Sequence, residues 1–209
     1  MSAMESYDCL ESLARRVTDE LIVTNLGTVA RELFHIKDRD GNLYRPYMGH
    51  PTPLALGLAL ALPHRRVIAI DGDGSLLLGL SVLPVIGAQN PTNLVVIVID
   101  NETYEATGGP ASFTAGRADL AGMARAAGVP NTWLVRDLPA FDGAVDAAYR
   151  GRGASLIAAK VKPSTRRVGY APLEGPENKY RFVRYVERTE KLNILKKPKK
   201  ALPQDVKPG

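Results

Sequence analysis

Two apolar runs in this 209-residue chain end in polar motifs: Asp71-Gly72-Asp73-Gly74-Ser75 follows residues 67–70, and Asp100-Asn101-Glu102-Thr103 follows residues 94–99. Neighbouring strands of an open parallel sheet share one crevice at their carboxyl ends, so Asp73 and Asn101, 28 positions apart, could reach the same ligand. Two hard oxygen donors beside a glycine-rich turn suit a magnesium ion carrying a phosphate. Gly72 and Gly74 allow close backbone approach to that ligand, and Leu76-Leu77-Leu78 predicts a helix whose N-terminal amides face it. Taken singly, each motif reads as a turn or a helix cap; the pairing is what makes them specific.

Other chemical readings are weaker. The dinucleotide fingerprint Gly-x-Gly-x-x-Gly is missing at the first motif, and no acidic residue follows at the expected next strand end. Asp38-Arg39-Asp40-Gly41-Asn42 imitates a calcium loop, but its glycine falls at position four instead of six and Gly49 holds position twelve. His50 stands beside a helix start, where it reads either as a ligand contact or as a cap, while His35 and His64 read as structural or exposed. The single cysteine, Cys9, excludes a disulfide framework and a cysteine-ligated iron–sulfur cluster within the chain, and buried packing is its expected role.

The elements that must position the two motifs follow from periodicity. It predicts a helix over 4–16, a strand over 21–24, a helix over 27–34 and an irregular stretch to Gly49. A helix over 52–61, a strand over 66–71, helices within 75–89 and a strand over 94–100 come next. A helix over 117–127, a strand over 132–135, a helix over 138–150 and a strand over 154–161 complete the alternation. Strands apolar on both faces belong to a parallel sheet covered by helices on each side, an α/β architecture. After Lys162-Pro163 the texture turns to glycine, proline and charge, with one amphipathic helix near 179–192 bearing Phe182, Val183, Val186 and Leu192, which reads as an arm.

Composition supports one domain over residues 1–165 and a basic C-terminal arm and tail over 166–209. The net charge of +5 is uneven: residues 160–209 hold 14 basic and 5 acidic side chains, the rest 13 and 17. The Lys196-Lys197-Pro198-Lys199-Lys200 run has no aromatic platform beside it, which argues against nucleic acid as partner. Residues 196–209, rich in lysine and proline, are expected to be disordered in isolation. No apolar run is long enough to span a bilayer and no targeting signal is readable, so a cytoplasmic protein without a membrane partner is the expectation.

The Gly-Asp-Gly opening with an asparagine nearly thirty residues later resembles the diphosphate motif of thiamine diphosphate-dependent enzymes. The likeness covers residues 21–162. Tyr47-Met48-Gly49-His50, a small-residue helix, and Gly108-Gly109 after the asparagine resemble the pyrophosphate-binding module of the decarboxylase branch, as in sulfopyruvate decarboxylase β subunits and the C-terminal part of phosphonopyruvate decarboxylases. The resemblance implies the thiamine diphosphate-binding fold, with Asp73, Asn101 and the Thr103 carbonyl as magnesium ligands and Gly72, Gly74, Ser75 and Tyr104 around the diphosphate. It makes Met48 the apolar wedge beneath the bent cofactor, Gly49 a backbone contact to the aminopyrimidine and His50 a possible catalytic contact, with Glu102, Tyr104 and Thr107 toward the substrate. Pro46-Tyr47 departs from the Gly-Ser that often precedes Met-Gly in the family, which weakens the aminopyrimidine assignment.

The family's activating glutamate belongs to a separate pyrimidine-binding module, and no glutamate here matches it. The resemblance therefore implies a β-type subunit of a two-chain 2-oxo acid decarboxylase, a lyase inactive without an α-type partner that supplies that glutamate. A carboligase, another lyase or a 2-oxo acid oxidoreductase keeps the cofactor and changes the reaction. A non-catalytic phosphate or nucleic-acid binding protein is the reading of another class. The basic arm is expected to lie on an acidic flank of the partner.

Overall fold

A computed structural model describes residues 4–44, 46–162, 165–169 and 174–195. Six parallel strands form one sheet in the order β2-β1-β3-β4-β6-β5. They are β1 (Leu21–Thr24), β2 (Asn42–Leu43), β3 (Val67–Gly72), β4 (Leu94–Asp100), β5 (Asn131–Val135) and β6 (Ser155–Lys160). Every residue of β4 is buried, as a central strand covered on both faces requires.

Alternate side chains feed two cores. Val67, Ala69, Val96 and Val98 point to one face, covered by α3 (Pro51–Ala61), α5 (Val82–Gln89) and α6 (Leu120–Ala126). Ile68, Ile70, Val95 and Ile97 point to the other, covered by α1 (Ser6–Arg16), α2 (Thr28–Lys37) and α7 (Leu138–Arg150). Cys9 is fully buried in this second core, where desolvation pushes its thiol far above the ordinary range and leaves it inert.

The chain runs outward from β1 through α2 to the edge strand β2, then returns across β1 through α3 to β3. The order reverses between β1 and β3, so the ligand crevice of such a sheet lies at the carboxyl ends of these strands. Gly72 pairs with Ile99 in the ladder, which sets the following Asp73 level with Asp100. The short helix α4 (Asp73–Leu78) begins within the first polar motif, with Gly72 as its N-cap.

Two elements differ from expectation. The stretch expected to be irregular before Gly49 contains β2, whose two residues are too few to generate a period of two. The helix expected as an arm is α8 (Gly175–Glu190), and it packs on its own chain instead. Phe182 and Val186 enter the first core, Asn178 accepts from the Tyr44 amide at 2.8 Å, and Arg181 forks onto Asp38 at 2.8 and 2.7 Å. An edge strand exposes unpaired backbone and a flank of core, and α8 covers that flank. Residues 196–209 lie outside the described residues.

Helices α3, α4 and α5 share an unusual surface. No Asp, Glu, Lys or Arg occurs at 46–62 or 74–99, yet Leu54, Leu60, Leu78 and Val85 are exposed. Among the described residues, no helix is long and apolar enough to cross a membrane.

Candidate functional site

The carboxyl ends of β1, β3 and β4 open into a cleft lined by Asn25, Thr28, Met48, Asp73, Asn101 and Tyr104, among others. Gly72, Gly74, Ser75, Thr103 and Thr107 also line it, so most of the sequence-predicted residues converge there. Gly49, His50 and Glu102 do not. Gly49 lies behind the cleft wall with φ +79, and its amide donates to Ser75 Oγ at 2.9 Å. His50 is exposed at the start of α3, its Nδ1 3.0 Å from the Met48 carbonyl oxygen. Glu102 faces a neighbouring hollow with Lys160.

The first motif spends much of its polarity on itself. Asp71 is fully buried; it accepts from Thr52 Oγ1 at 2.7 Å and from the Gly72 amide at 2.9 Å. Burial pushes its carboxyl upward against those bonds and one from the Ser75 hydroxyl. The Ser75 hydroxyl thus bridges Asp71 and Gly49, which leaves its main-chain amide as the group it can offer a ligand. The glycine positions are filled from outside: a Cβ at Gly72 would stand 2.8 Å from Asn25 Nδ2, and one at Gly74 2.3 Å from Tyr104 Cε1. The space that glycine leaves is therefore taken by Asn25 and by the Tyr104 ring.

Asp73 is 3% exposed, and its Oδ2 accepts from the Ser112 hydroxyl and lies 3.1 Å from Thr114 Oγ1. Thr114 Oγ1 is also 2.7 Å from Asp100 Oδ1, and 2.8 Å from Ser112 Oγ. Lys160 Nζ meets Asp100 Oδ2 at 2.9 Å and Glu102 Oε1 at 2.8 Å. Among the described residues Asp73 has no such ion-pair partner. Burial, and then the nearby Asp100 charge, push its carboxyl upward, outweighing the hydroxyl hydrogen bonds. Across the cleft, Asn101 Oδ1 accepts from the Thr103 amide at 3.1 Å, and Asn101 Nδ2 donates to Glu105, which in turn accepts from Thr28 Oγ1 at 2.9 Å.

A buried carboxylate without a counter-charge is costly, and a cation at this point would offset it. The oxygens at hand, one carboxylate, one amide oxygen and main-chain carbonyls, are hard donors that suit magnesium better than zinc. Asn25, Thr28, Ser112 and Thr114 were missed from sequence. The signal for Asn25 was present, since Thr24-Asn25 is a third polar pair closing an apolar strand.

Residues 30–159 match the family described as thiamine pyrophosphate enzyme, C-terminal TPP binding domain. The chain belongs to the thiamine pyrophosphate enzyme family. It is 33% identical over 183 residues to sulfopyruvate decarboxylase subunit beta of Methanococcus maripaludis, an alignment covering 87% of this chain and 97% of that one. It is 34% identical over 154 residues to phosphonopyruvate decarboxylase of Streptomyces viridochromogenes, covering 73% of this chain and 38% of that enzyme. Among solved structures, a thiamine diphosphate-dependent 4-hydroxybenzoylformate decarboxylase from Rhodococcus jostii shares the fold with a TM-score of 0.68 at 21% identity, over 79% of this chain and 34% of its own. The matched region runs from the third residue of α2 to the last but one of β6 and contains the whole cleft except Asn25, Leu26, Gly27, Thr28, Val29 and its two flanking residues Ser6 and Lys162.

Proposed function

We propose that this chain is the β-type subunit of a two-chain, magnesium- and thiamine diphosphate-dependent decarboxylase of a small acidic 2-oxo acid. The observation that carries the reading is Asp73, a buried carboxylate without an ion-pair partner among the described residues, which shares with Asn101 the switch-point crevice of a thiamine pyrophosphate enzyme. Relatives matched along 97% of their length and named as beta subunits support the two-chain arrangement.

In this reading Asp73, Asn101 Oδ1 and the Thr103 carbonyl hold magnesium. The main-chain amides of Gly74 and Ser75, with Tyr104, anchor the diphosphate. Met48 lines the cleft as the apolar support beneath the cofactor, and Gly49 keeps the turn that presents it. His50, exposed at the start of α3, is assigned a contact to the substrate where the partner closes the site. When bound, thiamine diphosphate supplies the electron sink for the carbanion left as carbon dioxide departs. The partner supplies the activating glutamate, and the lysine-rich tail lies against an acidic flank of that partner.

Recovery of the native complex through a tag on this chain, followed by assay of carbon dioxide release from a panel of 2-oxo acids, tests the proposal. Activity that requires both chains is expected; an active homo-oligomer of this chain would overturn it. In the same complex, Asp73→Ala is expected to abolish magnesium-dependent thiamine diphosphate binding.

A further inference from the structure

We propose that Lys160 is a positioning residue for the cation site, acting on Asp73 through Asp100 and Thr114; the inference rests on the reading of that site given above. Lys160 closes β6 opposite Asp100 in the ladder, and its side chain is 12% exposed. An ammonium has three protons, and this one has three acceptors: Asp100 Oδ2 at 2.9 Å, Glu102 Oε1 at 2.8 Å and the Thr114 carbonyl at 2.8 Å. Those acceptors stand at the two ends of the segment that carries Asn101 and Thr103. One buried charge therefore clasps the loop bearing two of the three proposed cation ligands.

The same charge orders the hydroxyls around the third. Thr114 has one hydroxyl proton and two carboxylates within reach, Asp100 at 2.7 Å and Asp73 at 3.1 Å. With Lys160 offsetting Asp100, that carboxylate stays a fixed acceptor for Thr114 instead of a second bare charge beside Asp73. Ser112 then donates to Asp73 Oδ2 and sets the rotation of the Asp73 carboxylate toward the cleft. Groups that orient a metal ligand in this way commonly change metal affinity by about 10- to 100-fold when removed.

The test uses the two-chain complex recovered through a tag on this chain, with Mn2+ as probe and thiamine diphosphate present, titrated by electron paramagnetic resonance so that bound ion and its symmetry are both read. Lys160→Met is expected to weaken Mn2+ binding by about 10- to 100-fold and to alter the bound spectrum. Thr114→Val, which keeps the shape and removes the hydroxyl, should do the same, while Thr114→Ser should restore wild-type behaviour. A role in packing alone predicts the reverse, with Val tolerated and Ser defective. Should Lys160→Met not fold, the Thr114 pair decides: unchanged Mn2+ affinity in folded Thr114→Val overturns the inference. Binding by wild type and equal binding by all variants overturns this inference and leaves the proposed function standing. Wild-type protein that takes up no Mn2+ overturns both.

Discussion

At the scale of single residues, the site turns on one carboxylate held where its charge is unwelcome. A carboxyl whose pKa is raised by folding contributes stability below its ordinary value of 3.8 and loses it as pH rises through the folded value. Asp73→Asn should therefore stabilise the cation-free protein at neutral pH and eliminate the stabilisation gained from magnesium with thiamine diphosphate. Thermal melts with and without both ligands check the two signs together. An asparagine variant that gained as much from the ligands as wild type would remove Asp73 from the cation site. Asp73 and Asn101 were legible because each closes a fully apolar run. Ser112 and Thr114 were not, because an irregular loop closed by the Thr103–Ala111 bridge turns them back onto Asp73; nor was Lys160, which the β4–β6 pairing, between strands more than fifty residues apart, sets beside Asp100.

Among the elements, glycines set how closely two pairs approach. A Cβ at Gly79 would stand 2.5 Å from the Gly49 carbonyl oxygen, and one at Gly87 2.0 Å from that of Ala127, backbone atoms that cannot turn aside. Gly79→Ala and Gly87→Ala should each cost about 2 kcal/mol or more, whereas Gly57→Ala, which meets nothing within 4 Å, should stabilise α3 by about 0.5 to 1 kcal/mol. Chemical denaturation of the three variants orders them.

The docking of α8 has its own pH signature. Burial works to raise the Asp38 carboxyl, but hydrogen bonds from Arg181 and the Tyr44 hydroxyl outweigh it and hold it below its ordinary 3.8. A depressed carboxyl stabilises the fold above 3.8 and loses that contribution as pH falls through the folded value. Hydrogen-exchange protection factors in α8 should therefore fall below about pH 4 before those of the central strands do, and Asp38→Asn should lower them at neutral pH. The helix itself was legible from its apolar spacing. Its destination was not: a stripe of Phe182 and Val186 states that something is covered, and the two-residue strand it covers left no period to find.

For the whole molecule, the doubly covered parallel sheet was legible almost strand by strand, since strands buried on both faces read as unbroken apolar runs. The strand order was inferred only locally, and the reversal between β1 and β3 became visible with the fold. The proposed two-chain site, built on the cleft at that reversal, predicts that purified β-type protein alone releases no carbon dioxide from any 2-oxo acid and that adding the partner restores release. Removal of residues 193–209 should weaken recovery of that partner, with a loss that is greatest at low salt and fades as salt is raised, because the proposed contact of the tail acts through charge. Pull-down yields at two ionic strengths check it, and unchanged assembly and activity would remove the tail from the interface.

The charge-free flank formed by α3, α4 and α5 bears on how the protein can be handled and made. Like charges keep copies of a protein apart in crowded solution, and here a whole flank has none. Association through such a flank is apolar, so it should strengthen with concentration and with temperature. Dosage should therefore matter: chain produced without a protein that covers this flank is expected to aggregate more steeply with concentration, read as light scattering, than chain produced together with one.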